Sequence, residues 1–327
     1  MKVRKLKTEE HILTRPLYEE AFSEDSQSFT DYYYTEKTAD NQIYVLEEED
    51  RICSMVHLNP YTVSVNGSRK ETNYIVAVAT REECRRRGYM ALVLRKALRD
   101  MYEAGELFTF LMPASEKIYE PFDFRTVYEQ NRPYVRKLDG WEQVSEKDCG
   151  EIADWAENCL GKKYQVYAVR DEKYYHRMLR EYESDGGKLL IMRDQEGKIT
   201  DFGIWVPQEE PEKEKIMIRI LDVRRMLMSL QLASLMSACF TVEDPIIEEN
   251  NRCLVLTGTE FSGVMLMDAK PENSEGCLPV HALVELLFGA KTIEEIRKEE
   301  GVMMTDRMAG ELKKIIPLSR IYLNEVV

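Results

Sequence analysis

None of the seven cysteines in this 327-residue chain stands in a C-x-x-C pair, so the sequence suggests neither a zinc site nor a paired-thiol redox motif. An odd count also gives no closed disulfide framework. Only four histidines occur, His11, His57, His176 and His281, far apart and never at metal-ligand spacing. No apolar run approaches the length of a membrane span, and the opening residues MKVRKLKTEEH are not a basic segment followed by an apolar one. Basic residues are outnumbered, 45 to 59, for a net charge of -14. That balance argues against general nucleic-acid binding and suits a cationic partner. The absences together lead us to expect a cytoplasmic protein that uses no metal.

The chain is long enough for two or three cores of ordinary size. Its chemistry is concentrated in one stretch, 74–124, which reads YIVAVAT, then REECRRRGYMALVLRKALRDMYEAG, then ELFTFLMPASEKIYEPFDF. The opening apolar, β-branched run predicts a strand covered on both faces. Leu94, Ala97, Leu98 and Met101 recur at helical spacing, which predicts a helix that starts near Gly88 and stops at Gly105. A second strand is expected at 107–112, ending at Pro113. An arginine-rich turn with a glycine at the helix start offers free backbone N–H groups and the positive end of the helix dipole, a combination that suits a diphosphate.

Strand, R-x-x-G turn, helix and strand in this order resemble the coenzyme-A-binding core of the GNAT N-acetyltransferases. Met90 stands where many members carry glycine or alanine. That fits one branch, the enhanced-intracellular-survival (Eis) acetyltransferases, in which RRRG is followed by bulkier residues and an A-S-E segment leads into I-Y-x-x-F-x-[FY]. Ala114, Ser115, Glu116, Ile118, Tyr119, Phe122 and Phe124 match that segment. The resemblance implies acetyl-coenzyme A as co-substrate. It places the diphosphate on Arg85, Arg86, Arg87, Gly88, Tyr89, Met90 and Ala91, and the pantetheine arm and acetyl carbonyl beside Val78, Ala79 and Thr80. Ser115 falls near the thioester end, Tyr119 is the acid for the leaving thiolate, and the terminal carboxylate, on Val327, is the base.

Ahead of this stretch, 1–6 reads as a strand and 9–22 as helical. Phe29, Tyr32, Tyr33 and Tyr34 follow among Asp25, Asp31, Glu36 and Asp40. They form either an entrance where aromatic faces and carboxylates hold an amine or an amphipathic helix whose rings are core. Residues 43–47, 52–58 and 61–65 read as strands, the last turning through Asn66-Gly67 into the strand that ends at Thr80. Alternation at 126–137 closes a first domain, 1–140. Helical stretches within 141–160 and at 172–182, with a hairpin at 188–206, make half of a second GNAT-like unit, 141–215, without a coenzyme site of its own. The segment 216–240 reads as a strand and a methionine-rich helix; strands at 252–257 and 263–267 and helices at 280–288, 292–298 and 308–315 follow. This order, opening on M-x-R-I-x-D-V, resembles the sterol-carrier-like C-terminal domain of Eis proteins, here 216–327. Its methionines and leucines suit either a lipid or a plain core.

The expected fold is therefore α+β: an N-terminal GNAT fold with a mixed, mostly antiparallel sheet, a shortened second GNAT-like unit and a sterol-carrier-like α/β domain. By resemblance, the expected activity is direct transfer of an acetyl group from acetyl-coenzyme A to a primary amine of a small cationic acceptor, of aminoglycoside, polyamine or lysine type. A homo-oligomer, hexameric by resemblance, goes with it. The alternative is a non-catalytic protein that holds a lipid or small molecule in the sterol-carrier-like domain.

Overall fold

The computed structural model describes residues 1–207 and 213–325. In chain order the strands that matter for the site are β1 (Lys2–Lys5), β2 (Gln42–Glu48), β3 (Arg51–Val65), β4 (Ser68–Thr80), β5 (Phe108–Leu111) and β6 (Arg125–Glu129). They continue with β7 (Glu142–Gln143), β8 (Val166–Ala168), β9 (Lys188–Arg193), β10 (Ile199–Trp205) and β11 (Lys215–Ile220). The helices among them are α1 (Arg15–Ala21), α2 (Gln27–Thr35), α3 (Tyr89–Glu103), α4 (Glu116–Tyr119), α5 (Cys149–Lys163) and α6 (Glu172–Ser184).

The first sheet runs β1-β2-β3-β4-β5-β11-β6, with β8 added to β3 and the last strand, Ile321–Tyr322, added to β8. Its pairs are antiparallel except β4 with β5 and Ile321–Tyr322 with β8, the mixed sheet that the sequence predicts. Asn66 and Gly67 turn β3 into β4 with φ of 48° and 80°, the left-handed pair that a two-residue hairpin requires. The two strands expected at 52–58 and 61–65 are one. Pro60, which cannot donate a hydrogen bond, lies where the far edge of β3 has no partner: β2 ends opposite Leu58 and β8 begins opposite Val63.

One face of this sheet is covered by α3, whose Val93, Leu94, Ala97, Leu98 and Met101 pack on Val56, Leu58, Ile75 and Leu111. Each such fully buried side chain contributes about 1.5–3 kcal/mol, so the helix behind the basic turn is firmly seated. On the other face α1 and α2 set Leu17, Tyr18, Tyr33 and Tyr34 against Ile43, Val45 and Met55. Tyr33 is fully buried and stacks on Tyr18 at 4.9 Å. The aromatic run of α2 is thus core, and only the Tyr32 hydroxyl reaches outward, toward Glu181 at 3.4 Å.

The strand expected to open the C-terminal domain lies elsewhere. β11 inserts between β5 and β6, with Ile218 opposite both Phe110 and Arg125, so the first sheet is completed by residues that follow the second unit. The same M-x-R-I pattern serves either assignment, since alternation fixes a strand but not its neighbours. Arg219 of β11 is fully buried, bonded to Asp244 at 2.6 Å and to the Phe122 carbonyl at 3.1 Å, which ties this strand to the C-terminal unit.

The second unit is a small sheet, β10-β9-β7, under α5 and α6. Residues 131–137, expected to extend β6, instead run along β10, where Val135 N–H donates to the Ile204 carbonyl at 2.8 Å. The C-terminal unit holds a five-stranded sheet of Gly263–Asp268, Cys253–Thr259, Met236–Glu243, Gly276–Pro279 and Met303–Met304, in that order. The methionine-rich helix is short, Val223–Leu227, and Met236–Glu243 is a strand whose Met236, Ala238, Phe240 and Val242 alternate inward. Met226, Met236 and Met308 share one core with Phe108 and Phe110 of the first sheet.

Candidate active site

β4 and β5 are in register only at Tyr74 with Phe110 and Ile75 with Leu111. β5 ends there, while β4 runs on to Thr80, so the two parallel strands part and leave a wedge along 76–80. Within it β4 is bulged: Met55 faces Ala79 and His57 faces Val76, so Ala77 and Val78 together stand opposite Val56. Ala77 has φ of 47°, a left-handed conformation that costs an alanine about 1–2 kcal/mol. Such bulges re-aim backbone groups beside functional sites. The Ala79 carbonyl and Thr80 hydroxyl are already engaged by Ser54, at 3.0 and 2.8 Å.

The basic turn stands at the open end of the wedge. Arg86 and Gly88 adopt φ of 61° and 78°, and α3 starts at Tyr89, so the N–H groups of its first turn have no helical acceptor. A Cβ at Gly88 would meet nothing within 4 Å; the glycine is needed for its backbone angle alone. The three arginines differ. Arg85 reaches back to the Thr80 carbonyl at 3.2 Å, Arg87 pairs with Glu48 at 2.9 Å and lies over the Tyr89 ring, and Arg86 is exposed with no ion pair among the described residues. A diphosphate fits these open N–H groups with Arg86 and Arg85, while Arg87 and the Tyr89 hydroxyl hold Glu48. Met90 and Ala91 pack on the cluster beneath α3, and Val78 touches the same cluster from β4.

Ser115 is exposed at the N-terminus of α4, which its side chain does not cap. Tyr119, at the other end of α4, has its ring buried among Ile75, Cys84, Leu111 and Phe124. Its hydroxyl has no hydrogen-bond partner among the described residues, and burial pushes its pKa up to about 12. The ring is thus fixed from behind and its one polar atom is left for a ligand. Val327 lies outside the described residues, but the strand that leads to it is held down. Asn324 Oδ1 accepts from Tyr128 at 2.8 Å, Gln130 Nε2 donates to the Glu325 carbonyl at 3.0 Å, and the Glu325 carboxylate meets Arg170 at 3.0 Å.

On the α1–α2 side, a cavity of about 250 Å³ lies between β3 and α6. Asp40, Glu71, Asp171 and Glu181 line it together with the cations Lys37, Lys173 and Arg177, beside Asn59 and Tyr61. Glu181 is buried, with Lys37 Nζ and the Tyr32 hydroxyl only at 3.5 and 3.4 Å, and burial raises its pKa against the pull of Lys37. Asn59 is 1% exposed, and neither atom of its amide has a partner. His57, two residues back on β3, accepts or donates one bond with the Tyr33 hydroxyl at 2.9 Å and leaves Nε2 without one. Burial holds this imidazole neutral, with its pKa lowered to about 3. Sequence reading missed Lys37, Asn59, Arg170, Glu181 and Glu325; for Arg170 and Glu325 the signal available was a charged residue set inside an apolar run, as in YAVRD and IYLNEVV.

Comparison with known proteins agrees with this geometry. Residues 2–127 match the family model described as an acetyltransferase (GNAT) domain. A search of curated proteins finds no match. Among solved structures, a probable N-acyltransferase from Enterococcus faecalis is similar at a TM-score of 0.79 and 16% identity, over 100% of this chain and 99% of that one. A GCN5-related N-acetyltransferase from Anabaena variabilis gives 0.77 and 12%, and Eis1 from Mycobacterium abscessus 0.71 and 12%, each over 100% of both chains. At these identities the likeness is one of fold, and it extends over the whole length. Residues 2–127 thus match a GNAT acetyltransferase domain, and the chain shares its fold over its whole length with a probable N-acyltransferase and with N-acetyltransferases.

Proposed function

We propose that this enzyme is of the Eis type and passes an acetyl group from acetyl-coenzyme A directly to a primary amine on a small cationic acceptor. The observation that carries this reading is the division of the first sheet: a wedge with a basic, glycine-marked turn for the cofactor, and for the acceptor a cavity against β3 that mixes carboxylates with cations and keeps Glu71 and Asp171 outside the ion pairs of the described residues.

Each need of the reaction then falls to residues of this chain. The N–H groups of the turn and first helical turn, with Arg85 and Arg86, hold the diphosphate. The bulged backbone at Ala77 and Val78 supplies donors for the oxygen on which charge develops. Glu71 and Glu181 draw the cationic acceptor in, and the unpartnered Asn59 amide gives it a polar contact. The amine must shed a proton before attack; the terminal carboxylate of Val327 is the base in this reading, and the residues before it, Asn324 and Glu325, are pinned by Tyr128, Gln130 and Arg170. The Tyr119 hydroxyl donates to the leaving thiolate. With its pKa pushed up to about 12 against about 8.5 for a thiol, lasting transfer to the thiolate is uphill, so the hydroxyl hydrogen-bonds the sulfur as the carbon–sulfur bond breaks, and the proton shed by the amine makes good any that it gives.

The test compares acceptors directly. Wild type and Glu181→Gln are incubated with acetyl-coenzyme A and equimolar spermidine, an aminoglycoside, a lysine peptide and a neutral amino sugar, and the products are weighed by mass spectrometry. The reading predicts acetylated cationic amines and a raised KM for them in Glu181→Gln. Preference for a neutral acceptor, or a KM indifferent to Glu181, contradicts it.

A further inference from the structure

Between α5 of the second unit and the C-terminal strand lies another cleft, of about 280 Å³. Trp155, Tyr164 and Tyr322 supply aromatic walls, and Arg132, Lys163 and Arg170 supply three cations against one lining carboxylate, that of Asp201. In a protein with a net charge of -14, this is a local inversion of sign.

Arg132 is the residue that needs explaining. Its guanidinium is half-buried and bonded only to neutral oxygens, the Tyr134 hydroxyl at 3.2 Å and Gln130 Oε1 at 2.5 Å. Its Nε is buried with no partner, and no carboxylate pairs with it among the described residues. The Glu181 carboxylate acts on it through space without a direct pair, and a buried donor left unmade costs about 1–3 kcal/mol. Arg170, by contrast, is neutralised by Glu325 and enclosed by the rings of Tyr174 and Tyr322, at 5.1 and 4.8 Å. Lys163 lies over Tyr164 at 5.2 Å, again without a carboxylate partner among the described residues.

We propose that this cleft is a binding site for a small aromatic carboxylate, its ring against Trp155 and Tyr164 and its carboxylate on Arg132 and Lys163. A planar guanidinium matches a carboxylate as a two-pronged donor, and the aromatic walls select a ring over a bare inorganic anion. Tyr322 belongs to the strand that continues to Glu325, which Arg170 grips, so the cleft lies against the C-terminal arm.

Benzoate is the probe, with benzamide as its neutral isostere and inorganic phosphate as the non-aromatic anion, each titrated calorimetrically into the full chain. The proposal predicts saturable benzoate binding at one site per chain, about tenfold tighter than benzamide or phosphate, as one charge-assisted contact warrants. Arg132→Gln should lose about that factor, and Trp155→Phe should remove the tryptophan fluorescence change on binding. No saturable benzoate binding, equal affinity for benzamide, tighter phosphate binding or an unaltered affinity in Arg132→Gln overturns the proposal. Should Arg132→Gln fail to fold, the comparison of the three probes on the wild type decides.

Discussion

The Arg170 guanidinium and the Glu325 carboxylate meet at 3.0 Å with their side chains 4% and 0% exposed, joining the second unit to the last described residue of the chain. The Tyr174 hydroxyl adds a second contact, to Glu325 Oε1 at 3.3 Å. A pair this deep gains little over an apolar substitute, but losing one member leaves the other charged and dry. Glu325→Leu or Arg170→Met alone should cost about 3–5 kcal/mol in urea denaturation, and the double variant should recover much of it. Single-variant costs below about 1 kcal/mol, the range of exposed pairs, would mean that the arm is not docked as described.

Tyr119→Phe removes a hydroxyl that bonds to nothing among the described residues, so thermal stability should hold. Turnover should fall about 100-fold or more, the usual share of a general acid, while the Kd for acetyl-coenzyme A changes less than twofold. Steady-state kinetics beside calorimetry read the two effects apart. Unchanged turnover removes Tyr119 as the acid.

The three arginines of the turn should not behave alike. Arg86→Gln is expected to weaken acetyl-coenzyme A binding by about tenfold, the worth of one charge-assisted contact. Arg87→Gln should cost less affinity, because its partner in the structure is Glu48. Gly88→Ala meets no clash and should lose about 1 kcal/mol through backbone strain, visible as weaker cofactor binding. Equal effects of Arg86 and Arg87 in calorimetric titration would contradict this division.

His57 sets an acid limit on the fold. Its pKa is lowered to about 3 by burial, against about 6.5 when unfolded, so protons bind the unfolded chain more tightly. Its contribution is fully present above pH 6.5 and is lost as pH falls toward 3, amounting to about 2 kcal/mol by pH 5. His57→Gln should flatten the stability profile between pH 5 and 7 in chemical denaturation. An unchanged slope would show that His57 is not buried as described.

Where local pattern decides structure, the sequence could be read. The β3–β4 turn and the α3 boundaries at Gly88 and Gly105 follow from turn chemistry and periodicity. What could not be read was partnership. β11 carries the same alternation whether it opens a new sheet or completes an old one, and only the surfaces of β5 and β6 decide. Met236–Glu243 is rich enough in alanine, methionine and serine to pass for helix until Gly276–Pro279 and Cys253–Thr259 pair with it. The acceptor cavity draws Lys37, Asn59 and Glu181 from three distant segments, and nothing local marks any of them.

The most direct test of acetyl transfer is calorimetric titration of the protein with acetyl-coenzyme A, followed by coenzyme A thiol release with spermidine, an aminoglycoside and a lysine peptide. The account predicts saturable cofactor binding, thiol release only when an amine is present, and loss of that release in Tyr119→Phe. Absence of cofactor binding, or release that no amine accelerates, would contradict it.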